Sequence, residues 1–147
     1  MAEKRGVGPV RLLVVAATLT LANCAGQSYQ TDIASVQFGW SALKIVIDAG
    51  LPTLSASQAV ALAKKEAVVD AEVAALPTAQ PTSVTQFCTD AVALVQALPA
   101  TVLSTSHKDE AAAFLNAAAL LATDFQQPAA AATAVAVSAN IAKGVTP

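Results

Sequence analysis

Five prolines divide most of this chain into segments whose apolar residues recur with helical spacing, and this feature constrains the fold most strongly. The prolines are Pro52, Pro77, Pro81, Pro99 and Pro128. Proline is excluded from helix interiors, so each one marks a boundary. Between the boundaries apolar residues return every three or four positions, as in amphipathic helices, and do not alternate as in strands. We therefore predict an all-α fold, a small up-and-down bundle over residues 32–147.

The predicted bundle has four to five alanine-rich helices, since 36 of the 147 residues are alanine. Their predicted ranges are about 32–49, 56–76, 83–98, 107–125 and 128–143. Ser55 or Ser57 is the expected N-cap of the second helix. Ser106 with Asp109 resembles a capping box for the fourth. Gly50 is the expected C-terminal cap of the first helix.

The first predicted helix is apolar on more than one face. Its main seam has spacings of 3, 4, 3 and 4, which predicts a core-facing stripe; the seam consists of Ile33, Val36, Trp40, Leu43 and Ile47. Phe38, Ile45 and Val46 lie outside this seam and outside the polar row. We therefore predict that these three residues form a contact surface for an envelope protein or for a second copy of the chain.

The N-terminus has the pattern of an export signal. Lys4, Arg5 and Arg11 form a basic region, and residues 12–21 form an uncharged run of ten residues. A run of this length suits the apolar region of a signal peptide and is short of the ~20 residues of a membrane-spanning helix. Residues 1–23 are therefore predicted to be a signal peptide, which forms a signal helix ahead of the bundle.

The residues that follow resemble the lipobox of bacterial lipoproteins. Leu21, Ala22 and Cys24 match its usual form, whereas Asn23 stands where that class usually has Gly or Ala. The resemblance implies cleavage before Cys24 and attachment of acyl chains, palmitate among them, to that cysteine. Ala25 follows, and the absence of Asp there implies the outer membrane, facing the periplasm. Residues 24–31 are then expected to be a lipidated tether that joins the membrane to the bundle.

Two alternative interpretations remain open. In the first, the chain is cleaved by the general signal peptidase and secreted or left soluble in the periplasm. Cys24 and Cys88 could then form a disulfide, and the bundle could bind an apolar ligand or partner between its helices. In the second, the chain is a phage- or plasmid-encoded lysis or exclusion lipoprotein, which its size and its lipobox allow.

The residue inventory predicts a non-catalytic protein without a cofactor or a metal. After residue 23 the chain has five lysines, no arginine and nine acidic residues, a net charge of −4, so binding to nucleic-acid phosphates is not expected. His107 is the only histidine, too few for a zinc site or a nucleophile–base pair. Cys88 is predicted to be a core residue. Glu66 and Asp70 lie one helical turn apart and are predicted to face solvent.

Overall fold

The computed structural model describes residues 25–104 and 106–143, which form a bundle of five α-helices. The helices are α1 (Ala25–Gly50), α2 (Ala56–Ala75), α3 (Pro81–Ala97), α4 (Lys108–Asp124) and α5 (Pro128–Ala142). Short 3₁₀ turns over Leu51–Thr53 and Leu76–Thr78 follow α1 and α2. No strand occurs in these two ranges. The all-α fold predicted from the proline spacing is therefore confirmed.

Helix α4 lies at the centre of the bundle and contacts α1, α3 and α5. Seven of its residues are alanines, which let neighbouring helices approach closely. Phe114 fills the space between α1 and α3, because its ring lies 5.4 Å from that of Trp40 and 6.0 Å from that of Phe87. Gly39 of α1 lies against the Phe114 backbone, where an added Cβ would come within 3.2 Å of its Cα. These contacts join α1, α3 and α4 into one core.

Helix α1 begins earlier than predicted, and this corrects the expectation that residues 25–31 form a tether. The helix starts at Ala25, and Tyr29, in its second turn, packs on the bundle. The ring of half-buried Tyr29 meets that of Phe125, at the end of α4, edge to face at 5.9 Å. At the other end, Gly50 is not a left-handed cap, because its φ is −85°. It is instead a close-packing site, where an added Cβ would lie 2.7 Å from a methyl group of Val102.

Local hydrogen bonds determine which residues are the N-caps of α2 and α4. Ser55, one of the two predicted N-caps, caps α2, and it forms a reciprocal capping box with Gln58. The predicted capping box of Ser106 and Asp109 is wrong, because the N-cap of α4 is His107 and its side chain makes no capping bond. The turn over residues 106–107 places His107 at the N-cap position. Its imidazole instead faces Glu110, at 3.7 Å from Nδ1 to Oε1.

Helix α5 packs on α4 along a stripe of small residues. Ala131, Ala134 and Ser138 are buried, and the Ser138 hydroxyl donates a hydrogen bond to the Ala112 carbonyl at 3.1 Å. The connection between the two helices is a Schellman turn, in which the Gln127 amide bonds to the Ala122 carbonyl at 2.8 Å. Its left-handed position is occupied by Gln126, with φ of 58°, where glycine is the usual residue.

Replacing Gln126 with glycine is expected to stabilise the protein. The left-handed backbone strains a residue with a Cβ, and glycine removes that strain. We expect the free energy of unfolding to rise by about 0.5–1 kcal/mol in urea titrations. Gln127→Gly is the matched control, because Gln127 has φ of −113° and its side chain accepts a hydrogen bond from Thr85 at 2.8 Å. That variant should lose stability, and a gain of similar size in both would contradict the explanation.

Candidate functional site

The outward side of α1 carries the two most exposed large apolar side chains of the described residues. Phe38 is 79% exposed and Ile45 is 70% exposed. They lie seven residues apart, which is two helical turns, and therefore share one face. Val46 does not belong to this surface, because it is 8% exposed and packs in the core. Its predicted role in a partner surface is wrong, since the buried face of α1 is wider than the seam and includes position 46.

Two polar contacts between α1 and α2 fix which side of α1 faces outward. The Trp40 indole Nε1 donates to Asp70 Oδ1 at 2.7 Å. One turn later the Lys44 ammonium donates to Glu66 Oε1 at 2.6 Å. This hydrogen bond is the main reason that the pKa of Lys44 is raised. The solvated face predicted for Glu66 is therefore wrong, because its carboxylate is buried against α1, whereas Asp70 is exposed as predicted, although it also accepts the hydrogen bond from Trp40.

Two pairs of carboxyl groups meet across helix contacts, a feature that the sequence did not suggest. Asp32 of α1 meets Asp124 of α4, and Glu72 of α2 meets Asp90 of α3. Burial, followed by the hydrogen bond and the charge of Asp124, raises the pKa of Asp32 from 3.8 to about 7. The same causes, with Asp90 as the partner, raise the pKa of Glu72 from 4.5 to about 7. With pKa values of about 7, Asp32 and Glu72 hold their protons in mild acid and lose them as the pH rises above neutrality.

These two pairs predict that the protein is more stable in mild acid than at alkaline pH. The raised pKa values mean that the folded chain keeps two protons that the unfolded chain loses near pH 4. The free energy of unfolding should therefore fall as the pH rises from about 4 to 7, and level off above that. Both groups are only partly buried, so solvent screening limits the expected loss to about 1 kcal/mol each.

Urea titrations at pH 4.5, 6 and 8 test this expectation. A variant with Asp32→Asn and Glu72→Gln should show a weaker dependence on pH, because neither substituted side chain can ionise. Asp48→Asn is the control, since Asp48 is an exposed aspartate on α1, and it should leave the dependence unchanged. Stability that rises between pH 4.5 and 8 would contradict the shared protons.

Cys88 is a core residue, as predicted. Its side chain is buried in the contact between α3 and α4, and its Sγ lies 3.5 Å from the Ala118 carbonyl, to which it donates. Burial, together with the charge of Glu72, raises the pKa of the thiol to about 12. A thiol with such a high pKa is a poor nucleophile, because the thiolate is the reactive form.

Open clefts lie on both sides of α3. One lies between α3 and α5, has a volume of about 430 Å³ and is lined mainly by apolar atoms, with Val92 and Ala129 on opposite walls. Another lies between α2 and α3, has a volume of about 350 Å³ and includes Glu72. Within residues 25–104 and 106–143, no group of three or more His, Cys, Asp or Glu side chains is arranged to hold a metal ion.

The residues of the predicted lipobox, Leu21, Ala22, Asn23 and Cys24, lie outside the described residues, as does the predicted signal peptide over 1–23. The lipidation of Cys24 and its alternative disulfide with Cys88 therefore stay predictions. None of the described helices is both long enough and apolar enough to cross a membrane. No protein-family model, curated protein or solved structure matches the chain.

Proposed function

We propose that this protein is a non-catalytic envelope lipoprotein that uses its helical bundle as a protein-interaction module. The observation that carries the proposal is the exposure of Phe38 and Ile45 on one face of α1. The opposite face of the same helix already supplies the core. A large exposed apolar pair on a helix that is otherwise well packed is typical of a contact surface. The lipobox at Cys24 would hold this surface close to the membrane, at the outer membrane on its periplasmic side.

The rotation of α1 supports this proposal. The bonds from Trp40 to Asp70 and from Lys44 to Glu66 join α1 to α2 on one side. The contact of Gly39 with Phe114 joins α1 to α4. A rotation that buried Phe38 in the bundle would break all three contacts. The exposed pair is therefore held outward by the fold itself.

The environments of the reactive side chains are consistent with a binding role. The pKa of the Cys88 thiol is raised by burial, and Lys44 is paired with Glu66. His107 lies next to Glu110 at the start of α4, where acids also interact favourably with the helix dipole. Each of these groups takes part in packing or helix pairing, and none is aligned with a second group as a nucleophile–base pair.

The intact mass of the protein, purified from its native membranes in mild detergent, tests the anchor. We expect a species that begins at Cys24 and carries the added mass of acyl chains. Cys24→Ala is the matched variant, and it should lose that mass and leave the membrane fraction. A lipid-free species that begins near Asn23, in the soluble fraction, would overturn the lipoprotein proposal.

A double variant, Phe38→Lys with Ile45→Lys, tests the interaction surface. Both side chains are exposed, so we expect the thermal midpoint to change by no more than a few degrees. Cross-links between this protein and its partner in the cell envelope should disappear. The control is Val60→Lys with Val68→Lys, which places two lysines on exposed apolar positions of α2. If the first variant unfolds, the α1 surface is core and the proposal fails.

A second candidate function is a secreted helical protein that binds an apolar ligand, and the cleft between α3 and α5 favours it. That cleft has the volume of a small-molecule site and its lining is mainly apolar, at about 430 Å³. A soluble, lipid-free species in the mass measurement would support this candidate. Binding of an apolar dye would then be measured in the wild type and in Ala129→Trp, whose larger side chain fills the cleft from its wall. Loss of dye binding in the variant would place the ligand in this cleft.

A further inference from the structure

The cleft between α2 and α3 combines a mainly apolar lining with a carboxyl group. Its volume is about 350 Å³. Ala71, Ala75 and Ala79 line it at intervals of four residues, and their short side chains leave the space that larger residues would fill. Glu72 of α2 lies in the same wall, and residues of α3 line the other side. A pocket of this size with an apolar lining and few polar groups is typical of a small-molecule site.

The polar group of this cleft belongs to a pair of carboxyl groups. Glu72 meets Asp90 of α3, and both residues are half-buried. The side chain of Gln86, which also lines the cleft, donates from Nε2 to Asp90 Oδ2 at 2.9 Å and so orients that carboxyl group. Apart from the hydrogen bond with Asp90, no donor among the described residues reaches the buried Oε2 of Glu72. The pair therefore has unused capacity to accept hydrogen bonds.

The surroundings of the pair leave its negative charge without a partner. Lys64 and Lys65 line a neighbouring depression together with Asp90, but neither forms an ion pair with Asp90 or Glu72 within the described ranges. From α3, the buried thiol of Cys88 also senses the charge of Glu72, and its raised pKa keeps it protonated. Helix α1 contributes no charged group to the surroundings of Glu72. Above neutrality, two carboxylates therefore lie side by side, an arrangement that a cation stabilises.

We propose that this cleft binds a small organic cation, in which an ammonium group carries an apolar ring or chain. The ammonium group lies at the pair of Glu72 and Asp90, where its three donors meet free acceptor positions. The apolar part lies along Ala71, Ala75 and Ala79. A cavity of about 150 Å³ can hold benzene, so this cleft has room for a ring beside the ammonium group. Two adjacent carboxylates repel an anion, and a neutral molecule would leave their charge uncompensated.

Calorimetric titration of the full-length protein in mild detergent tests the proposal with three aromatic probes of similar size and different charge. The probes are benzylammonium, the neutral benzyl alcohol and the anion benzoate. At pH 8 we expect saturable, one-to-one binding of benzylammonium, because both carboxyl groups are then ionised. Benzyl alcohol and benzoate should bind at least tenfold more weakly, since neither supplies the positive charge.

The pH dependence of binding and a Glu72→Gln variant test the role of the carboxyl pair. The affinity of the wild type for benzylammonium should fall about tenfold between pH 8 and pH 6, because the cation must displace the proton that Glu72 holds below its pKa of about 7. Glu72→Gln should bind benzylammonium at least tenfold more weakly at pH 8 and show little pH dependence. Asp48→Asn, at an exposed aspartate of α1, is the matched control and should behave like the wild type.

A second pair of variants locates the bound cation. Ala75→Leu fills the cleft from its wall and should weaken the binding of benzylammonium at least tenfold. Ala74→Leu, at an exposed alanine of α2 beside the cleft residues, is its matched control and should leave the affinity unchanged. Circular dichroism of each variant checks that the helices are retained.

Three results would overturn the inference: no saturable binding of benzylammonium at pH 8, equally tight binding of benzyl alcohol, or binding that Ala75→Leu does not weaken. None of them bears on the proposed interaction surface, which lies on α1, or on the lipid anchor. The inference therefore stands or fails separately from the proposed function.

Discussion

Replacing Phe114 with alanine is expected to lower the free energy of unfolding by about 4 kcal/mol. Phe114 is fully buried, and its ring contacts those of Trp40 and Phe87. Truncation removes both contacts and leaves a cavity where α1, α3 and α4 meet. The neighbouring backbone cannot collapse into this cavity easily, because Gly39 already brings α1 close to the backbone of α4. Urea titration of the purified protein measures the loss.

Leu120→Ala is the matched control for this prediction. Leu120 lies on the same helix, but its side chain is exposed, so its truncation should cost less than about 1 kcal/mol. Similar losses for the two variants would show that the core is not centred on Phe114. A loss below about 1.5 kcal/mol at Phe114 would show that the three helices repack around the cavity.

Replacing Lys44 with methionine is expected to cost about 2–3 kcal/mol, the second largest effect. The Glu66 side chain is 8% exposed and that of Lys44 is 39% exposed. Removal of Lys44 therefore leaves a buried carboxylate without its ion-pair partner. The cost falls below that of a fully buried pair, because the Lys44 side chain already reaches solvent. Thermal and urea unfolding at pH 7 provide the measurement.

The loss of stability is expected to differ between the two partners of this ion pair. Glu66→Met should cost less than Lys44→Met, since the ammonium left behind can turn into solvent. The double variant, with methionine at both positions, should recover most of the loss, because no buried charge remains. Lys65→Met is the control on an exposed lysine of α2 and should have little effect. Equal losses for the two single variants would contradict this description of the pair.

The sequence predicted the helices and most of the core because both depend on local periodicity. Cys88 of α3 is buried as predicted, and Val84 and Val95, which lie at helical spacing from it, are buried as well. The docking of α5 was not predicted. Its buried residues are Ala131, Ala134, Ser138 and Ile141. The first three are small, and alanines also occupy the exposed side of the helix, so the sequence shows no distinct apolar period. The contact between α5 and α4 depends on small residues on both helices, and the sequence of α5 alone does not reveal it.

The errors of the sequence analysis arise where packing between helices decides the outcome. Glu66 has the spacing of a solvated residue on one helix, and only the placement of Lys44 on α1 reveals why it is buried. Val46 lies at the edge of the α1 seam. It is buried because α1 packs against more than one helix, and this packing buries a wider face of α1 than a contact with a single helix would. The polar composition of residues 25–31 predicts a linker, but no proline interrupts this segment, and α1 extends through it.

A repeated tripeptide marks the ends of α1 and α2. The tripeptide Leu-Pro-Thr occurs after α1 and again after α2, and each copy forms a 3₁₀ turn. In both turns the threonine hydroxyl donates to a carbonyl three residues earlier, from Thr53 to Gly50 at 2.6 Å and from Thr78 to Ala75 at 3.2 Å. The repeated motif therefore marks two helix ends with the same hydrogen-bonding pattern.

With Cys24 as the proposed membrane anchor, the early start of α1 would limit how far the bundle can move from that anchor. Seven extended residues between Cys24 and the bundle would act as a leash of about 23–25 Å. The same seven residues in a helix rise only about 10 Å and do not bend freely. A chain anchored at Cys24 would therefore be held against the bilayer in a fixed orientation. It would meet its partners by lateral diffusion in the plane of the membrane, and would not sample the periplasmic space above it.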